Sequence, residues 1–127
     1  FITIRDLLKK NYQVNVVSGI SSIMSAFVHV DDFMGQGDDI ISIITAGTDE
    51  RLIKDKISTS NTTIVIKVAK HLKKIKTIAA NLGLLETAMY ISKIDQAQQY
   101  SDRLDMISDE VIEYFSIIII KNPRLNS

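Results

Sequence analysis

Between Val14 and Ser22 the hydrophobic pattern changes period, and this change most constrains what the chain can fold into. The segment Val14-Asn15-Val16-Val17 alternates as a strand does and ends in Ser18-Gly19. Ser21 and Ser22 then open an amphipathic run from Ile23 to Val28. The order is that of a strand, a tight turn and a helix start, with Gly19 supplying the unusual backbone angles and Ser21 or Ser22 a capping oxygen. A turn of this kind aims backbone N–H groups and hydroxyls over the carboxyl end of a sheet. By itself it is more often the signature of a plain capped junction.

The same alternation of periods continues along the chain. Ile4, Leu7 and Leu8 mark a short helix over Ile2 to Lys10, Gln13 to Val17 a strand, and Ser21 to His29 a helix. A polar loop rich in Asp and Gly, Asp31 to Asp39, leads into a continuous apolar strand, Ile40 to Thr45. Thr48 has the character of an N-cap, with Asp49 and Glu50 in the first turn and Leu52, Ile53 and Ile57 behind them. Thr62 to Val68 is predicted as a buried strand. Ala69 to Leu82 follows as the clearest helix, with Leu72, Ile75, Ile78, Ala79 and Leu82 in one stripe and Gly83 as its stop. Ala88 to Ile94 is a strand, Ser108 to Ile112 one helical turn, and Tyr114 to Ile120 the last strand. These signals predict a single α/β domain with a mixed sheet of about five strands flanked by about four helices.

Composition narrows the classes. With 127 residues, 46% of them hydrophobic, the chain is long enough to bury its own core. Its 15 basic and 15 acidic residues cancel, so it lacks the overall basic footprint of a nucleic-acid binder. The absence of cysteine excludes disulfides and thiolate metal sites and fits a reducing cytoplasm. The longest uninterrupted apolar run, Ile117 to Ile120, is far shorter than a membrane span, so no membrane partner is expected. Phe1-Ile2-Thr3-Ile4-Arg5 is no charged leader followed by an apolar stretch, so no signal peptide is expected. Because Phe1 stands inside an amphipathic pattern, the chain is expected to start within a longer protein.

Several conspicuous residues have plain explanations. His29 and His71 are far apart with no third ligand at metal spacing, and Asp31-Asp32 with Asp38-Asp39 lack the alternating spacing of a calcium loop. No metal site is therefore expected. Lys67, Lys70, Lys73, Lys74 and Lys76 form a local basic cluster, of which Lys73 and Lys74 lie opposite the apolar stripe and read as a solvated face. No Gly-x-Ser-x-Gly nucleophile elbow is present, so covalent hydrolase chemistry has no support, and no catalytic residue is named.

Three later segments sharpen the reading: Lys67-Val68-Ala69-Lys70-His71-Leu72 at the end of a buried strand, Tyr90-Ile91-Ser92-Lys93-Ile94-Asp95 with Gln98-Gln99 beyond it, and Tyr114-Phe115-Ser116 opening the last strand. Together with Gly19-Ile20-Ser21-Ser22, their order and spacing resemble the carboxyl-terminal half of the tetrapyrrole methylase superfamily. Within it, the Lys-Val-x-x-His-Leu and Tyr-Phe-Ser signatures look most like the precorrin-2 and cobalt-factor II carbon-20 methyltransferase branch. The resemblance covers essentially the whole chain. It implies a methyl transfer from S-adenosylmethionine to a reduced tetrapyrrole on the corrin (cobalamin) pathway, leaving S-adenosylhomocysteine. It also implies a cleft between two α/β domains, of which residues 1–127 would be the carboxyl-terminal one. The amino-terminal partner domain, with its Gly-x-Gly-Pro-Gly-Asp loop, would lie upstream, and the full-length protein would be a homodimer.

On this resemblance the cofactor contacts in the present half are Val68 and Ala69 at a strand end and Ile94 after the next strand, while Ser21 and Ser22 face the substrate side of the cleft. Small residues and free backbone at a strand end suit an adenine, and a sulfonium methyl donor is electrophilic enough that alignment and water exclusion carry much of the catalysis. Departures from the pattern bear on the substrate more than on the fold. Ser18 stands in place of proline, Ile94 in place of Ala or Gly, Ser92-Lys93 in place of Glu-Arg, and Tyr100 in place of an arginine. A methylase for another tetrapyrrole, and a non-catalytic ligand-binding or assembly module on the same scaffold, stay open as alternatives.

Overall fold

In the computed structural model, which describes residues 21–30, 32 and 34–125, the apolar runs pair into one five-stranded sheet. The strands are β1 (Ile41–Thr45), β2 (Thr62–Ile66), β3 (Ala88–Ser92), β4 (Tyr100–Arg103) and β5 (Ser116–Lys121), in the spatial order β1-β2-β5-β3-β4. β1 and β2 are parallel, Ile43 facing Ile64, and all other pairings are antiparallel. Since β5 runs against both of its neighbours, β2 and β3 run the same way on either side of it. Their carboxyl ends therefore flank the amino end of β5.

The apolar run of β5 is buried on both faces, as expected for a central strand. Ile118 and Ile120 join Val65, Tyr90 and the inner faces of two helices, α2 (Glu50–Thr59) and α3 (Leu72–Asn81). Ile117 and Ile119 join Ile64 and Ile91 beneath Ala26 and Phe27 of α1 (Ser22–His29). The period of two in the strand thus serves two cores, one on each side of the sheet. At the end of β5 the buried Asn122 donates through Nδ2 to the carbonyl oxygens of Ile57 and Ser58, tying the strand to the last turn of α2.

The helix boundaries follow from local chemistry. Ser21 caps α1, its hydroxyl accepting the Ile23 N–H at 3.2 Å. The cap of α2 is Asp49, not the expected Thr48, with Oδ2 accepting the Arg51 N–H at 3.1 Å. A carboxylate favours the positive end of the helix over a hydroxyl, and the Thr48 hydroxyl is instead paired with that of Thr45. The predicted helix from Ala69 begins as a 3₁₀ turn, Ala69–His71, before α3 starts at Leu72. It ends in a Schellman motif: the Leu84 N–H reaches the Ala79 carbonyl and the Gly83 N–H that of Ala80. Gly83 has φ +71°, and a Cβ there would stand 2.7 Å from the Arg124 guanidinium that bonds the Leu82 carbonyl.

Other expectations shift in detail. β2 and β3 end at Ile66 and Ser92, short of the predicted Val68 and Ile94, because Lys67 and Lys93 turn to positive φ. The last strand starts at Ser116 rather than Tyr114. β4 carries no apolar signal and exists through its pairing with β3. The helical turn expected over Ser108 to Ile112 is a single hydrogen-bonded turn, the Val111 N–H reaching the Ser108 carbonyl at 3.2 Å, and it follows an unexpected 3₁₀ turn at Leu104–Met106 in which Leu104 and the adjoining Ile107 are both buried. The predicted helix at Ile2 to Lys10, the strand at Gln13 to Val17 and the Gly19 turn lie outside the described residues. The α/β class with a five-stranded mixed sheet stands, with three α-helices among the described residues.

Candidate functional site

Among the described residues, four that are not glycine have positive φ: Lys67 (55°), Ala69 (29°), Lys93 (51°) and Asp95 (61°). All four lie just past the carboxyl ends of β2 and β3. Such backbone costs about 1–3 kcal/mol per residue and persists only where neighbours over-determine it. Here they do. The Lys93 N–H donates to the Phe115 carbonyl at 2.7 Å, and its ammonium to Gln98 Oε1 at 2.9 Å, with Glu113 at 3.9 Å. The Asp95 N–H donates to Gln99 Oε1 at 2.8 Å, and its carboxylate pairs with His29 Nε2 at 3.0 Å. That pairing, more than a further hydrogen bond from Ser25, holds the Asp95 carboxyl below its usual range. On the β2 side, the Ala46 N–H bonds the Ile66 carbonyl and the His71 N–H that of Val68.

Around these turns lie three adjoining cavities. The first, of about 250 Å³, is lined by Ser22, Ile23, Ile66, Lys67, Ile94 and Phe115, together with Gln96 and Tyr114. The second, of about 460 Å³, is lined by Lys67, Ala69, Lys70, His71, Ile112 and Tyr114. A third, of about 390 Å³, lies over Tyr90 and Ser92 and shares Ile112 with the second. Burial pushes the Tyr90 phenol up, against the opposing hydrogen bonds of Ser116 and Ser92. The segment from Ser108 to Phe115 is the common wall. Tyr114 and Phe115 are exposed by 79% and 66%, large apolar rings left without cover.

The five residues singled out from the sequence are divided by this geometry. Ser22 and Ile94 meet in the first cavity, and Ala69 opens onto the second. Ser21 stands at the entrance to α1 with its hydroxyl engaged in the cap. The Val68 side chain belongs to the core beneath α3, so only its backbone is on the side of the strand end. Lys67, Gln96, Tyr114 and Phe115 were not expected in the site. The two aromatics read as the start of a strand, and the signal that would have separated them is the change from mixed residues to pure aliphatics after Ser116.

The basic cluster also resolves into parts. Lys74, read as solvated, is bound to the backbone, its ammonium donating to the carbonyls of Ala46 at 3.1 Å and Thr48 at 2.5 Å. Lys76 bonds the Ile107 carbonyl and pairs with Asp109 at 2.7 Å, whose carboxyl is held low by that contact. Lys73 is exposed, as expected of a solvated face. Among the described residues no helix is long and apolar enough to cross a membrane, and no group of three or more His, Cys, Asp or Glu could hold a metal ion.

Comparison with known proteins supplies the context for this edge of the sheet. No protein-family model matches the chain. It is 23% identical over 113 residues to precorrin-2 C(20)-methyltransferase of Sinorhizobium sp., covering 89% of this chain and 46% of that protein. It is 19% identical over 117 residues to the cobalamin biosynthesis protein CobIJ of Mycobacterium tuberculosis, covering 92% of this chain and 23% of that protein. The chain thus spans less than half the length of these curated relatives. Among solved structures, the methyltransferase CobJ superposes with a TM-score of 0.66 at 9% identity, over 91% of this chain and 55% of that one. Cobalt precorrin-4 methyltransferase gives 0.62 at 15% identity, over 91% and 54%. Uroporphyrin-III C-methyltransferase of Thermus thermophilus, complexed with S-adenosylhomocysteine, gives 0.55 at 12% identity, over 99% and 63%. By sequence and by fold together, this chain is similar to the tetrapyrrole methyltransferases.

Proposed function

We propose that this chain is the carboxyl-terminal domain of an S-adenosylmethionine-dependent methyltransferase of cobalamin biosynthesis, with precorrin-2 or cobalt-factor II as the methyl acceptor. The observation that carries the reading is the concentration of left-handed backbone at the ends of two strands that run the same way, beside an apolar cavity that Lys67 lines. Strain of this kind gathers where a ligand is held. The residues also suit the ligand. Ile23, Ile66, Ile94 and Phe115 make a slot for a flat base, Gln96 and Lys67 supply polar groups at its edge, and the Ala69 side chain is small enough to admit close approach. At about 250 Å³ the slot lies just under the volume of a complete ligand pocket, as half of a two-domain cleft should.

S-adenosylmethionine, when bound, supplies an already electrophilic methyl group. The part left to the chain is orientation and exclusion of water. Ile94 and Phe115 would flank the base, the backbone of Val68 and Ala69 would face it, and the Ser22 hydroxyl would meet the acceptor side. Ile94 stands where the resemblance expects a smaller residue, and its branched side chain narrows the slot. That single feature favours the second reading, a ligand-binding domain that has lost transfer activity.

Two measurements test the proposal. In the gene, the sequence upstream of Phe1 should encode a strand followed by a Gly-x-Gly-Pro-Gly-Asp loop. The protein carrying that region should convert S-adenosylmethionine to S-adenosylhomocysteine in the presence of precorrin-2 or cobalt-factor II. Residues 1–127 alone should show no turnover and bind S-adenosylhomocysteine weakly, because half of the polar contacts are missing. An unrelated upstream domain would overturn the domain assignment, as would submicromolar affinity of the 127-residue chain by calorimetry.

A further inference from the structure

Ser25 and His29 stand one turn apart on α1, so their side chains share one side of the helix. A single residue meets both. The Asp95 carboxylate accepts from His29 Nε2 at 3.0 Å and takes a second hydrogen bond from Ser25. Asp95 reaches across with left-handed backbone, φ 61°, held by its own N–H donating to Gln99 Oε1 at 2.8 Å. The core does not require this arrangement. Ala26 and Phe27 already seat α1 over Ile64, Ile91 and Ile119, whereas the His29 and Asp95 side chains are 35% and 61% exposed. An exposed pair of this kind adds little to stability. What it adds is position. Ser22 and Ile23 line the first cavity from the start of α1, and Ile94 and Gln96, on either side of Asp95, line it from the turn after β3. One wall of the slot is thus a helix packed on the sheet, and the other belongs to a surface turn.

We propose that His29 and Asp95 are positioning residues: a clasp that fastens the turn between β3 and β4 to α1 and so fixes the width of the slot between Ile23 and Ile94. The other bonds of the turn do not do this. Lys93 to Gln98 and the Asp95 N–H to Gln99 close the turn on itself, and the Lys93 N–H ties its base to the Phe115 carbonyl. The bonds to His29 and Ser25 are the ones that cross to the helix. A binding site is only as precise as its loosest wall, and a turn already fastened to a rigid element loses less freedom when a ligand enters. This deepens the functional reading given above and rests on it for the identity of the ligand, whereas the clasp itself can be read without one.

The test is amide hydrogen exchange, followed by mass spectrometry, on the 127-residue chain and its His29→Ala variant. The amides of Lys93, Asp95, Gln96 and Gln99 are all hydrogen-bonded within or beside the turn. Loss of the clasp should speed their exchange by about three-fold or more, the scale of an exposed ion pair, and leave β3 and β5 as slow as before. His29→Gln, whose amide nitrogen can stand where Nε2 does, should restore slow exchange. Val28→Ala, at the neighbouring exposed position, should change nothing. In the longer protein that carries the upstream region, His29→Ala should raise KM for S-adenosylmethionine about three-fold and leave KM for the tetrapyrrole unchanged, with His29→Gln bringing it back. Unchanged exchange in His29→Ala, or faster exchange spread through α1 and β5, would overturn the clasp. Turnover with an unmoved KM for S-adenosylmethionine would overturn its part in the slot. If the longer protein shows no turnover while exchange responds and glutamine restores it, the enzyme reading fails and the clasp stands.

Discussion

Replacing Lys67 with glycine should make the protein more stable, which is the reverse of what glycine does elsewhere. Lys67 has φ +55°, in the region where a side chain costs about 1–2 kcal/mol relative to right-handed backbone. Glycine removes that cost, and it adds back roughly 0.5–1 kcal/mol through the greater freedom of the unfolded chain. The Lys67 side chain is exposed and has no hydrogen bond or ion pair among the described residues, so nothing else is lost. The net gain is about 0.5–1 kcal/mol, or roughly 2–5 °C in Tm for a domain of this size. The matched control is Lys54→Gly, an exposed lysine in the interior of α2, which should lose about 1 kcal/mol. Urea denaturation followed by circular dichroism measures both, with an unchanged slope verifying that the denatured state is comparable. If Lys67→Gly loses as much stability as Lys54→Gly, no strain is stored at the end of β2. The argument that this edge is a ligand site then fails with it.

The other predictions draw on separate parts of the structure. Lys74→Met should destabilise by about 1.5–3 kcal/mol, because it removes charge-assisted bonds to the carbonyls of Ala46 and Thr48, whereas Lys73→Gln should stay within about 0.5 kcal/mol; thermal melts of the two side by side decide it. Asp95→Asn keeps a residue that tolerates positive φ but removes the charge facing His29. Because the folded Asp95 carboxyl titrates below 3.8, its contribution is present above that pH and lost as the pH falls through the lower folded value. The parent and Asp95→Asn should therefore differ in Tm at neutral pH and converge in strong acid, and a constant difference across that range would refute it. Self-association is expected at high concentration through the uncovered apolar surface at Ile40, Ile41 and Ile43 on the edge strand and at Tyr114 and Phe115; a strict monomer in sedimentation would count against it. β5 is a central strand, so only the residues before it, and not Ser116 to Ile120, contribute.

Much of the architecture is local and could be read residue by residue. The stripe of α3, the Ser21 cap, the Gly83 stop and the aliphatic run of β5 each follow from periodicity or backbone preference acting over a few residues. The strand β4 could not be read so, because Tyr100 to Arg103 alternates nothing apolar and is held by hydrogen bonds to β3. The same holds for the 3₁₀ turn at Leu104–Met106, which the burial of Leu104 and Ile107 decides.

For the site the division is sharper. Sequence alone placed Ser22, Ala69 and Ile94 at strand ends and a helix start, since junctions of this kind carry local turn chemistry. Tertiary structure decided which of them meet. The antiparallel insertion of β5 between β2 and β3 brings two distant strand ends to one edge, and no local pattern records that pairing. It also turned the Val68 side chain into the core, bound Lys74 to a backbone loop and left Lys67 and Lys70 facing a cavity. A lysine carries the same charge in every sequence position. Whether that charge meets a carbonyl, a carboxylate or an open concavity is settled only by what the fold sets beside it.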